Sequence, residues 1–151
     1  PELTLDVVGD GPLRADLERL VAQLGGNGRV VFHGRVEDVR PLLRRAHLVL
    51  HTSVVEGVPR AIMEALALGK TSLAADIPGV DELILDGVNG YLFDPGCLSA
   101  LVERLDSLLR DRSFLPPARI RGHLAEHFGP RAAGEQTLAA FESILAARKA
   151  K

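Results

Sequence analysis

The stretch HLVLHTSVVEGVPRAIMEALALGKTSLAA, residues 47–75, decides how the chain is read. It opens on HLVLH (47–51), a short run of aliphatic and β-branched residues of strand type. It closes on a second short apolar run, TSLAA (71–75). Between them, Ile62, Met63, Leu66 and Ala67 recur at helical spacing, with Pro59 at the start of the run and Gly69 at its end. Strand, helix and strand in that order predict two parallel strands joined by a crossover helix.

The same alternation extends to both sides. Residues 3–8, LTLDVV, read as a strand closed by the turn Gly9-Asp10-Gly11-Pro12. A helix follows with Leu13, Leu17, Leu20, Val21 and Leu24 on one stripe, stopped by Gly25-Gly26. RVVFH (29–33) is the next strand. Val39, Leu42, Leu43 and Ala46 mark a short helix starting near Glu37. Beyond residue 75, a short helix is expected at 80–85, a turn at 86–90 and a last strand at Tyr91-Leu92-Phe93. The remainder reads as helices at 98–109, 114–128 and 131–148, broken by Pro116-Pro117 and Gly129-Pro130, with the tail AARKAK (146–151) frayed. The fold class is therefore α/β: a Rossmann-like three-layer domain with a parallel sheet covered on both faces. Residues 1–112 are expected to form the Rossmann-like domain, and 113–151 to be C-terminal helices packing on it or extending from it.

Composition limits the function. The chain has 151 residues, 46% hydrophobic and 25% charged, with a net charge of −2. That balance gives no long-range attraction for nucleic acid, so an anion site has to be local. The one cysteine, Cys97, has no metal-ligand cluster around it and reads as a structural thiol. No transmembrane run and no targeting segment are apparent, and a cytoplasmic setting is expected. His123 and His127 lack a third metal ligand. The three arginines of 40–45 read as an exposed helix face.

Ligands of open α/β sheets bind beyond the carboxyl ends of the strands. The loops there are 9–11, 34–36, 52–58, 76–80 and the turn before Tyr91. Gly9 and Gly11 match two glycines of a dinucleotide fingerprint, but Arg14 stands where the third belongs. The 52–64 segment carries more. Glu56 precedes Pro59 and so lies at the helix mouth, where Gly57 permits close backbone approach. The first-turn amides of Arg60 and Ala61 are expected to be open to an anion. Glu64 lies further along the helix. Phosphate at the amides, with carboxylates on either side to accept hydroxyl groups, suits a nucleotide sugar. The same spacing also fits a plain helix start, with Glu56 only complementing the helix dipole and Glu64 solvated, neither of them a core group. His33 and His51 end strands at the ligand edge.

With those residues in view, VVGDGPLRADLE (7–18), VVFHGRVEDVRPLL (30–43), EGVPRAIMEALALGK (56–70) and DIPGVDELILDGVNGYLFDPG (76–96) resemble the donor-binding domain of glycosyltransferase family four. These are retaining enzymes of the two-domain GT-B architecture. The resemblance runs from about residue 3 to 109. It implies that Glu56 meets donor-sugar hydroxyls and is the catalytic position. It implies backbone amides offered to sugar or phosphate by Gly57 and Val58, a ribose contact from Glu64, and a nucleobase contact from the backbone of Gly34, Arg35 and Val36; Gly9, Gly11, Pro59, Arg60 and Ala61 complete the expected donor-binding set. No metal or other cofactor is expected. The resemblance further implies a chain truncated at its N-terminus, lacking an earlier phosphate-gripping loop and an acceptor domain of the same polypeptide, through which peripheral membrane contact could run. The isolated chain is then expected to be inactive. Thr71 and Ser72 replace the family's usual proline and valine. A non-catalytic nucleotide-binding module and a nucleotide-sugar epimerase remain the alternatives.

Overall fold

The computed structural model describes residues 3–149. They fall into two compact units that meet in the chain after Arg45.

The first unit contains β1 (Leu5–Val8), α1 (Arg14–Gln23), β2 (Val30–Gly34) and α2 (Arg40–Arg45). β1 and β2 pair in parallel, Leu5 beside Val30 and Val7 beside Phe32, with a register shift that sets Val8 against Gly34. α1 forms where its leucines predict it, yet none of its residues is buried. α2 starts later than expected. The Asp38 carboxylate accepts the Arg40 amide at 3.0 Å, and a capping side chain of this kind ends the lead-in and fixes the first turn. Asp6 organises the unit: its Oδ1 lies 2.6 Å from His33 Nε2, and Arg45 donates to both of its oxygens at 2.9 and 3.0 Å. The hydrogen bond from His33, then the Arg45 guanidinium, hold the Asp6 carboxyl below its usual range.

The second unit contains β3 (Leu48–His51), α3 (Arg60–Ala67), β4 (Thr71–Ala75), β5 (Tyr91–Phe93), α4 (Leu98–Asp111), α5 (Pro117–Phe128) and α6 (Pro130–Lys149). β4 is central in the order β3-β4-β5, and both pairings are parallel. Every residue of β4 is buried, which requires cover on both faces of the sheet. Ile62 and Leu66, four apart and so on one stripe of α3, enter a core with Leu73, Phe93, Leu108 and Ile120.

The α/β class with parallel strands holds, but the strands are shared between two sheets, β1-β2 and β3-β4-β5. Alternation of elements dictates strand direction; it does not dictate which edges pair. The helix expected at 80–85 is a series of turns. The Asn89 side chain, fully buried, accepts the Leu85 amide at 2.7 Å and donates to the Leu83 carbonyl at 2.8 Å. Those backbone groups are thereby withdrawn from a helical ladder. Asp86, at the same turn, receives Arg104 from α4 at 2.9 Å, and that guanidinium lies 5.0 Å from the Tyr91 ring centre. α5 begins at Pro117 rather than at Phe114, because consecutive prolines hold the preceding residues extended. α6 runs through Lys149, into the tail expected to fray; Ala150 and Lys151 lie outside the described residues.

Thr71 and Ser72 are buried in β4. The Thr71 hydroxyl accepts the Leu115 amide at 2.8 Å and ties the segment before α5 to the sheet. Thr71→Val keeps the shape and removes the acceptor. With Leu115 only half-buried, the expected loss is about 1 kcal/mol, at the low end for an orphaned donor. That corresponds to roughly 4–8 °C in Tm for a unit of this size, readable by calorimetry.

Candidate functional site

β3 delivers the chain to the 52–59 loop at its carboxyl end. His51, the last strand residue, pairs with Ala74 of β4, and its side chain is only 10% exposed. From there its Nε2 reaches Glu56 Oε1 at 3.1 Å; the Glu56 side chain is 27% exposed. Around Glu56 the loop turns outward, with Val54, Val55, Gly57 and Val58 exposed. Pro59 turns inward and is buried. The 76–80 loop braces this bend. Gly79 has φ +87°, and a Cβ there would lie 3.3 Å from the Gly57 carbonyl oxygen. Asp81 accepts the Gly79 amide at 3.0 Å and holds that conformation.

The mouth of α3 differs from expectation in one respect. The Arg60 amide donates to the Val58 carbonyl at 2.8 Å, closing a tight turn, and is therefore not open to an anion. The Ile62 and Met63 amides converge on the Pro59 carbonyl at 3.0 and 3.1 Å. Among the described residues the Ala61 amide has no acceptor, and with the helix dipole it provides the local partial positive charge. Glu64 is exposed, about one turn into α3 at ~1.5 Å per residue. It borders a groove of about 520 Å³ whose other walls include Met63, Arg121, Leu124 and Phe128.

In the first unit the glycines come together. Gly9, at φ +126°, donates its amide to the Gly34 carbonyl at 2.8 Å. Gly34 is itself at φ +66°, and a Cβ there would sit 2.8 Å from Arg14 Nη1. Arg14, which replaces the third fingerprint glycine, thus covers Gly34 while pairing with Glu18 at 2.9 Å. The Gly11 amide donates to Asp10 Oδ1. Arg35 is exposed and Val36 half-buried.

The remaining polar residues of interest serve local structure. His33 is engaged by Asp6. His123 and His127 stack at 4.2 Å, and burial, followed by the neighbouring His127, lowers the His123 pKa. Cys97 precedes α4, and its thiol lies 3.2 Å from the Ser99 hydroxyl, the main cause of its lowered pKa. Sequence reading placed His51 at the ligand edge but missed its partner, because a contact across five residues of irregular loop leaves no periodic signal. Gly79 was missed for the same reason.

Residues 1–131 match the family described as Glycosyl transferases group 1. Alpha-D-kanosaminyltransferase of Streptomyces kanamyceticus is 30% identical over 93% of this chain and 35% of its own length. The crystal structure of Anabaena HepE in complex with UDP-glucose superposes with a TM-score of 0.79 at 28% identity, over 95% of this chain and 42% of that one. The apo lipopolysaccharide outer core galactosyltransferase WaaB shares the fold with a TM-score of 0.86 at 24% identity, over 94% of this chain and 41% of that one. The chain belongs to the group 1 glycosyltransferase family, and its solved neighbours are GT-B glycosyltransferases. It spans about a third of the length of the curated relatives it matches, 28% and 36% for two of them. Among the described residues no helix is long and apolar enough to cross a membrane.

Proposed function

We propose that this chain is the donor-binding part of a retaining glycosyltransferase, which moves a sugar from a nucleoside diphosphate sugar to an acceptor. The observation that carries the reading is the juxtaposition at the carboxyl end of β3: a half-buried carboxylate, Glu56, in an outward-turned loop, followed by the open Ala61 amide at the mouth of α3. The amide and helix dipole suit a phosphate, and the carboxylate accepts sugar hydroxyls. Glu64, exposed on α3, accepts the ribose hydroxyls. The 28% identity to a protein crystallised with UDP-glucose supports a nucleotide sugar as the donor. The mechanism needs no protein base from this chain: charge growing on the leaving diphosphate is met by backbone dipoles. The acceptor domain and further phosphate-binding groups belong to the rest of the polypeptide, and no metal is required.

The reading is tested by thermal shift of the whole polypeptide against UDP-sugars and UDP, since a ligand that binds only the native state raises Tm. A concentration-dependent rise, together with radiolabelled sugar appearing on an acceptor, is the expected result. Binding without transfer indicates a non-catalytic module, and no binding by any nucleotide sugar overturns the reading. Glu64→Ala is expected to weaken donor binding roughly tenfold, the loss of about 1.5 kcal/mol from one hydrogen bond to a charged group. Because ribose contacts are alike in ground and transition states, this loss appears in KM with kcat nearly unchanged.

A further inference from the structure

We infer that His51 is a positioning residue that holds Glu56 in the orientation needed at the donor sugar. The inference rests on the proposed role of Glu56 and adds to it how the carboxylate is fixed.

Glu56 lies in a loop with neither helix nor strand, and its neighbours Val54, Val55, Gly57 and Val58 point outward. A carboxylate on such a segment has many orientations, and a hydroxyl acceptor that must be in place before the reaction cannot have many. His51 supplies the constraint. It is the last residue of β3, paired with the fully buried strand β4, so its backbone is anchored in the sheet of the second unit. Its ring is nine-tenths buried and its Nε2 lies 3.1 Å from Glu56 Oε1. With Glu56 ionised, Nε2 carries the proton and donates. One carboxylate oxygen is then anchored, and the other is left for the substrate.

The other ring nitrogen argues that this is not merely a packing arrangement. His51 Nδ1 is buried and has no hydrogen-bond partner among the described residues. Burying a polar atom without a partner is unfavourable. On packing grounds alone a leucine of similar size serves this position at least as well. Among the described residues the only polar contact the imidazole makes is the one to Glu56, so orientation of Glu56 is what the histidine provides and leucine does not.

The test is a double-mutant cycle on the whole polypeptide, with kcat, KM and Tm measured for His51→Leu, Glu56→Ala, the double variant and His51→Gln. His51→Leu is expected to lower kcat about tenfold, the scale of one hydrogen bond to a charged group, with KM within about twofold and Tm held or raised. In the Glu56→Ala background the same change should cost no further activity, because the group it positions is gone. His51→Gln retains an N–H donor at the same reach and should recover most of kcat. If His51→Leu keeps wild-type kcat, or if its loss multiplies with that of Glu56→Ala, the inference is wrong. If His51→Leu lowers Tm and kcat together and His51→Gln restores neither, the residue is structural and the inference is again wrong. Wild-type kinetics for Glu56→Ala would instead overturn the role of Glu56 itself.

Discussion

Gly69→Ala is expected to destabilise the protein by about 2–5 kcal/mol, combining left-handed strain of ~1–2 kcal/mol with overpacking of ~1–3 kcal/mol. Gly69 follows α3 at φ +69°. A Cβ there would lie 2.6 Å from Arg121 Nη1, 2.8 Å from Pro117 Cβ and 2.9 Å from the Pro117 carbonyl oxygen. The Arg121 side chain can swing away. The Pro117 ring and carbonyl cannot, because they form the first turn of α5, whose Ile120 is fully buried in the core. Gly87 separates the two contributions. It has φ +71° and nothing within 4 Å of a built Cβ, so Gly87→Ala should show the strain alone. Urea unfolding of both variants measures the difference, and equal losses would show that α5 yields at no cost. A fall on the order of 10 °C in Tm is expected for Gly69→Ala. Because α3 and α5 both wall the groove beside Glu64, donor affinity should fall along with stability, whereas Gly87→Ala should leave it unchanged.

Glu56→Ala is expected to lower kcat ten- to hundred-fold in the whole polypeptide, as a charge-assisted hydrogen bond worth roughly 1.5–3 kcal/mol is lost where geometry changes during transfer. KM should move little, in contrast to Glu64→Ala, since an interaction strengthened in the transition state appears in kcat. Sequence reasoning expects no effect on stability from either carboxylate. The structure amends that for Glu56. Its removal leaves the nine-tenths-buried His51 ring without its polar partner, so Tm should also drop, by the equivalent of about 1 kcal/mol. Glu56→Gln distinguishes the two effects. Its amide oxygen still accepts from His51, so Tm should return while kcat stays low if the charge matters at the sugar. Full activity in Glu56→Gln would assign the role to hydrogen bonding alone, and full activity in Glu56→Ala would remove Glu56 from the site.

Both predictions depend on features that sequence and structure reveal to different degrees. The strand, helix and strand at 47–75 were legible, because local periodicity and the punctuation by Pro59 and Gly69 are short-range. Chain direction then placed Glu56 beyond the carboxyl end of β3, since the loop after a strand can lie nowhere else. The conformation of Gly69 was also foreseeable, because a helix that stops on glycine commonly does so at positive φ. What presses on that glycine was not, as Pro117 lies 48 positions along the chain.

The sequence by itself determined the alternation of elements, the parallel direction of the strands and the edge on which Glu56 stands. Each follows from hydrophobic period and backbone stereochemistry, which act over a few residues. Only the tertiary structure decided that the strands divide as β1-β2 and β3-β4-β5, that Arg60 closes a turn on Val58, that Thr71 holds Leu115, that Asn89 converts the 80–85 helix into turns, and that His51 holds Glu56. In each case a polar group takes one of several available partners. Which partner it meets depends on where distant segments pack and on which groups are buried, because burial makes an unpaired donor or acceptor unfavourable and forces the choice.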